Sequence, residues 1–163
     1  MYRANRIETD DKAVFYRTVT HLLEGLLAGE TDGTANLANA AALLGHQMKD
    51  INWVGFYLLK GDELLLGPFQ GKPACTRIPV GRGVCGTAAA KRSTEVVPDV
   101  HIYPGHITCD GASASEIVVP IFSGDRLAGV LDIDSPLPGR FDAEDAKGLE
   151  AFVETLAASL YNR

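Results

Sequence analysis

Between residues 11 and 29, Val14, Val19, Leu22, Leu23, Leu26 and Leu27 fall at helical spacing, so the stretch predicts an amphipathic helix. Thr9 or Asp10 is placed to cap its start. Residues 30–50 carry a second helical stripe through Leu37, Ala41 and Leu44, with Gly45 a weak point late in the pattern.

The pattern changes after residue 50. "INWVGFYLLK" is aromatic and β-branched, "GD" supplies a turn, and "ELLLGPFQG" returns, which predicts a hairpin over 51–71. "CTRIPV" reads as a short strand, "GVCGTAAAKRS" as a short helix, and "TEVV" as another strand closed by Pro98. From Asp99 to Ser115 the chain is polar and rich in Gly and Pro, a long excursion of the kind that carries function. A second hairpin follows, "EIVVPIF" then "RLAGVLDID" around the turn "SGD". "SPLPGR" breaks the chain, and Asp142 opens a last helix whose early acidic residues suit its positive end.

Strands joined by hairpins, with long helices gathered at both termini, predict an α+β fold: an antiparallel sheet with N- and C-terminal helices packed on it. The 163 residues fit one domain over 1–163, and 46% hydrophobic residues are ample for its core. A net charge of -6, with no basic and aromatic cluster, speaks against nucleic acid. No apolar run is long enough to span a membrane, and "MYRANRIETD" lacks a signal peptide's apolar segment, so a cytoplasmic protein is expected.

Chemistry enters with the three cysteines, Cys75, Cys85 and Cys109, an odd number at wide spacing that does not read as a disulfide framework. Cys109 stands in "HITCDGASAS", among polar residues rather than the apolar neighbours of a packing cysteine. "GRGVCG" at 81–86 matches a dinucleotide-binding turn, but its helix is short and its strands belong to hairpins. The same glycines serve equally as a tight helix entry, or as a cradle of N–H groups for a small anion. In "VLDID", Asp132 and Asp134 share one strand face while Ile133 takes the other, and Glu116 can lie near them from the neighbouring strand. Carboxylates crowded in a dry pocket cannot all ionise, which leaves a proton donor near neutral pH. A solvated strand end or a divalent-cation site is the plain alternative. Beside a reactive thiol such an acid suits a reaction in which sulfur attacks and an oxygen leaves, with His106 placed to help form the thiolate. A zinc site from Cys75, Cys85, Cys109 and His101 or His106 competes, without C-x-x-C spacing to support it.

The stretch "HITCDGASASEIVVPIFSGDRLAGVLDIDSP" closely resembles the free methionine-(R)-sulfoxide reductases, a family built on the GAF fold. "INWVGFYLL", "GPFQGKPACTRIPVGRGVCGTAAA" and "VVPDVHIYPGHITCD" extend the resemblance from about Ile51 to the last helix. It implies a substrate, free methionine sulfoxide of the R configuration, and an external reductant, thioredoxin supplied by NADPH, with no bound cofactor or metal. It also implies Cys109 as nucleophile, Cys75 as resolving thiol and Cys85 as an auxiliary cysteine. Glu116, Asp132 and Asp134 then bind the sulfoxide and supply its proton, and Trp53 walls the S-methyl group, although a plain core tryptophan is equally consistent with its sequence context. A homodimer through the terminal helices is part of the same expectation. A non-catalytic sensor domain and a thiol peroxidase are the rival classes.

Overall fold

The computed structural model describes residues 5–161. Helices α1 (Lys12–Leu27) and α2 (Gly33–Gln47) precede a hairpin of β1 (Trp53–Lys60) and β2 (Glu63–Gln70). The short strand β3 (Arg77–Pro79), helix α3 (Gly83–Lys91) and strand β4 (Glu95–Val97) follow. A single 3-10 turn, Val100–Ile102, interrupts the loop leading to the hairpin β5 (Ser115–Ser123) and β6 (Arg126–Ser135), and α4 (Ala143–Tyr161) ends the chain. The sheet has six strands in the order β3-β2-β1-β6-β5-β4, every pairing antiparallel. The expected α+β architecture is therefore the one observed.

Helices α1, α2 and α4 cover one face of the sheet. In α1 the buried residues Tyr16, Val19, Leu23 and Leu27 form one stripe, spaced three or four apart as the sequence pattern requires. They pack with Val54, Phe56, Ile117, Val119, Leu131 and Ile133 from alternate positions of the central strands. The other set of alternate positions, including Trp53, Tyr57, Val118 and Val130, faces α3 and the long loops. The central strands are thus covered on both sides, which is why their sequences read as nearly continuous apolar runs rather than clean alternation.

Helix ends follow local chemistry. The cap of α1 is Asp11, not Thr9 or Asp10: its carboxylate accepts the Val14 N–H, while Thr9 Oγ1 accepts the Asp11 N–H. Asp32 caps α2 in the same way. Asp142 Oδ1 accepts the N–H groups of Glu144 and Asp145 ahead of α4, as expected of the residue that opens that helix. Asp145 is itself buried, and it ties α4 to α1 through Tyr16 Oη at 2.7 Å and Lys12 Nζ at 2.6 Å, with Arg140 at 3.5 Å. Among the described residues no helix is long and apolar enough to cross a membrane.

Candidate active site

The register of the central strands sets the site. Glu116 on β5 pairs with Asp134 on β6, which pairs in turn with Trp53 on β1, so these three residues stand in one row across the sheet. Asp132 stands one step along the same face, opposite Gly55 and Val118. Ile133 points into the helix-side core, as alternation predicts. Helix α3 lays its first turn over this row, and the loop carrying Cys109 closes from the side.

The resulting cavity is lined by Trp53, Tyr57, Cys85, Cys109, Glu116, Asp132 and Asp134, with Gly83, Val84, His106 and Ile107 at its rim. All seven residues singled out from sequence meet here except Cys75, whose neighbours Pro73 and Ala74 line the wall. Cys75 reaches the site through a bond instead, a disulfide to Cys109 with Cα atoms 5.7 Å apart, inside the roughly 7 Å that such a bond allows. That bridge excludes the zinc site drawn from all three cysteines, because only Cys85 remains free, and it is buried. The closed cavity has a volume of about 40 Å³, room for a few waters and not for an amino acid.

Burial dominates the electrostatics. It pushes the Glu116 carboxyl well above the usual carboxylate range, with the charges of Asp132 and Asp134 adding to the effect. Burial likewise raises Asp132 to about 6, against hydrogen bonds with Glu116 and Cys85 that hold it down. Asp134 is raised by burial and then by Asp132 and Asp110. The site therefore holds a proton among its acids near neutral pH. Cys85 is pushed up by burial and by Asp132, Glu116 and Asp134, so it stays a thiol; its Sγ lies 3.9 Å from Glu116 Oε1. His106, expected to help form the Cys109 thiolate, is turned to the acid row in the disulfide form. Its Nε2 faces Glu116 Oε2 at 3.7 Å, and burial lowers its pKa.

Two loops converge on the disulfide, and polar contacts hold each. Trp53 Nε1 donates to the Lys72 carbonyl at 3.1 Å, and Tyr57 Oη donates to the Cys75 carbonyl at 2.8 Å. On the other side Asn52 Nδ2 donates to Asp110 Oδ2 and Ser113 Oγ, just after Cys109 in the chain. Ala114 N–H donates to the Ser135 carbonyl and anchors the loop to the sheet. Tyr57, Asn52 and Asp110 were not drawn out from sequence. The alternation that puts Trp53 on the site face also puts Tyr57 there, a signal available in "WVGFY".

"GRGVCG" forms the entry to α3. Gly83 has a φ of +61°, and a Cβ there would press on Ile107 at 3.1 Å, so the turn needs glycine to seat the Cys109 loop against it. Gly86 packs with its Cα side against the Pro79 carbonyl, where a Cβ would sit 2.4 Å away. These glycines make a tight junction between β3, α3 and the loop rather than a dinucleotide cradle.

Comparison with known proteins points the same way. The GAF domain family matches residues 17–160. The free methionine-R-sulfoxide reductase of Escherichia coli is 54% identical over 146 residues, covering 90% of this chain and 88% of that protein. The corresponding reductase of Saccharomyces cerevisiae is 49% identical over 83% of this chain and 80% of its own length. A crystal structure of the free methionine-R-sulfoxide reductase of Neisseria meningitidis, in complex with its substrate, superposes with a TM-score of 0.91 at 51% identity, covering 96% of this chain and 94% of that one.

Proposed function

The chain belongs to the GAF-domain family and, within it, to the free methionine-R-sulfoxide reductases, and from that premise we propose that it reduces free methionine-(R)-sulfoxide to methionine at the cavity above the sheet. The observation that carries this reading is the Cys75–Cys109 disulfide closed over a floor of Glu116, Asp132 and Asp134. It is the arrangement a thiol reductase reaches after one turnover.

In the mechanism, the Cys109 thiolate attacks the sulfoxide sulfur while one of the buried carboxylic acids protonates the sulfoxide oxygen. The attack forms a bond between the two sulfurs; the protonated oxygen then passes from the substrate sulfur to Cys109 Sγ as that S–S bond breaks, which releases methionine and leaves Cys109 as a sulfenic acid. The Cys75 thiol then attacks that sulfur, water departs, and the disulfide forms. An external dithiol returns both cysteines to thiols. Cys85, buried and protonated, supports the acids instead of attacking. Trp53, stacked on Phe69 at 5.2 Å and on Tyr57 at 6.0 Å, gives the S-methyl group an aromatic wall. The first turn of α3 offers free N–H groups for the substrate carboxylate, and the acid row offers partners for its ammonium. Pairing both ends of a free amino acid leaves a peptide no room to thread.

The reductant we assign is thioredoxin fed by NADPH. The exposure of Cys109 leaves the disulfide open to attack by a protein dithiol. Residues 1–163 are read as one GAF-like domain, working in the cytoplasm, and two copies associate through the terminal helices. A groove between α1 and α4, bordered by Arg17, His21, Glu24 and Lys147, is the surface available for that association.

The deciding experiment is NADPH-coupled turnover, with thioredoxin and its reductase, on separated R and S epimers of free methionine sulfoxide. Turnover of the free R epimer alone is expected, with a peptide-bound sulfoxide and hydrogen peroxide both inert. Loss of thiols on peroxide but not on the sulfoxide would make it a peroxidase; no loss on either would make it a binding domain.

A further inference from the structure

The mechanism leaves one nucleophilic group unused. Cys85 Sγ, a Glu116 oxygen and an Asp132 oxygen lie within 4.8 Å of one another, and all three side chains are buried. One member of this cluster carries a second feature. Asp132 Oδ1 is buried and has no hydrogen-bond partner among the described residues. A carboxylate oxygen removed from water without a donor is costly, and Asp132 lines the cavity, so the residue invites a bound positive group.

The donor set says which kind. Two carboxylates alone would suit magnesium or calcium, which take shells of oxygen. A thiolate beside them selects a borderline, thiophilic ion instead. The 3.9 Å between Cys85 Sγ and Glu116 Oε1 is close to the roughly 3.5 Å edge of a tetrahedron with metal–sulfur near 2.3 Å and metal–oxygen near 2.0 Å. Three protein donors leave a fourth position for water, and the cavity has room for it.

We propose that Cys85, Glu116 and Asp132 form a site for a thiophilic divalent cation such as zinc, and that an ion bound there excludes the sulfoxide from its acids. Binding replaces the Cys85 S–H bond with a sulfur–metal bond and releases that proton to solvent; nothing is oxidised or reduced. The site does not use Cys75 or Cys109, so it exists in the disulfide form, and measuring it requires no turnover. Failure of the metal site and failure of the reductase reading are therefore separate results.

The test uses the full-length disulfide form, whose one free thiol is Cys85, and cobalt(II) as the probe. One cobalt per chain is expected, with a thiolate-to-cobalt charge-transfer band, and zinc should displace it. Cys85→Ala should abolish the band and weaken cobalt binding at least about 100-fold, since outer partners of a metal ligand alone are worth about 10–100-fold. Asp132→Asn, which leaves the packing of α3 intact, should keep the band and weaken binding about tenfold or more. In the Cys75→Ser, Cys109→Ser double variant, one equivalent of zinc should lower calorimetric affinity for free methionine sulfoxide at least about tenfold. Cobalt bound without the sulfur band, or with unchanged affinity in either variant, overturns the site; undiminished sulfoxide affinity overturns the exclusion.

Discussion

Trp53 rests against the bare backbone of Gly55, two positions along its own strand. A Cβ added at Gly55 would stand 2.7 Å from Trp53 Cη2 and 2.3 Å from Phe69 Cβ. The aromatic wall of the cavity therefore depends on a missing side chain. Gly55→Ala should push the indole or Phe69 out of place, at a cost of about 1–3 kcal/mol in stability. KM for the sulfoxide should rise more than kcat falls. Trp53 is the chain's one tryptophan, so its fluorescence should shift in the folded variant. An unchanged emission spectrum and unchanged KM would count against this account of the wall.

The two bridged cysteines should fail at different steps. Cys109→Ser is expected to release no methionine from free sulfoxide. Cys75→Ser should release about one methionine per chain and then stall as a sulfenic acid, detectable by dimedone labelling, because its resolving partner is gone. Cys85→Ser should retain both steps. A dead Cys85→Ser beside an active Cys109→Ser would reassign the nucleophile.

The acid row makes a prediction about pH with a definite sign. Burial raises Asp132 from 3.8 to about 6, so the folded protein keeps a proton that the unfolded chain loses. Stability from this group is present below pH 4, falls as pH rises toward 6, and its penalty is complete above that. Asp132→Asn should therefore raise the melting temperature at pH 8, by about 2–4 °C for each kcal/mol recovered. The gain should shrink toward pH 4, and activity should fall sharply at every pH. Equal stabilisation at pH 4 and pH 8 would contradict the assignment.

Asn52 is expected to act on the second step. Its amide holds Asp110 and Ser113, which follow Cys109 in the same loop. Asn52→Ala should slow closure of the disulfide after methionine release, and hydrogen exchange should quicken across residues 106–113. If closure keeps its rate, the loop is held by Ala114 and the glycine turn alone.

Asp145 should matter for stability rather than chemistry. Removing it strands Tyr16 Oη in the core and takes from Lys12 one of its two carboxylate partners, while Lys12 keeps Asp142 and Arg140 keeps the Lys49 carbonyl. Asp145→Ala should cost about 1–3 kcal/mol in urea unfolding, with kcat unchanged in the folded fraction.

Much of this was written in the order of residues. Period-two alternation in "VLDID" placed both aspartates on one face, and the apolar stripe of α1 named its buried side. Proximity across elements was less legible. That Glu116 pairs with Asp134 depends on hairpin register, and nothing local to His106 says that it faces Glu116 instead of Cys109. The helix cap at Asp11 was misplaced because Thr9, Asp10 and Asp11 are all competent caps and packing of α1 against α4 chooses among them. Tyr57, Asn52 and Asp110 escaped because each acts through a contact made by folding, with no motif of its own.

The sulfur bridge between Cys75 and Cys109 has its own kinetic corollary. While it is closed the chamber beneath admits little more than a few waters, and its outward side is what an incoming dithiol meets. Oxidised amino acid and reducing protein must then visit in alternation, never together. Reciprocal plots at several thioredoxin concentrations should accordingly run parallel, the signature of a ping-pong cycle.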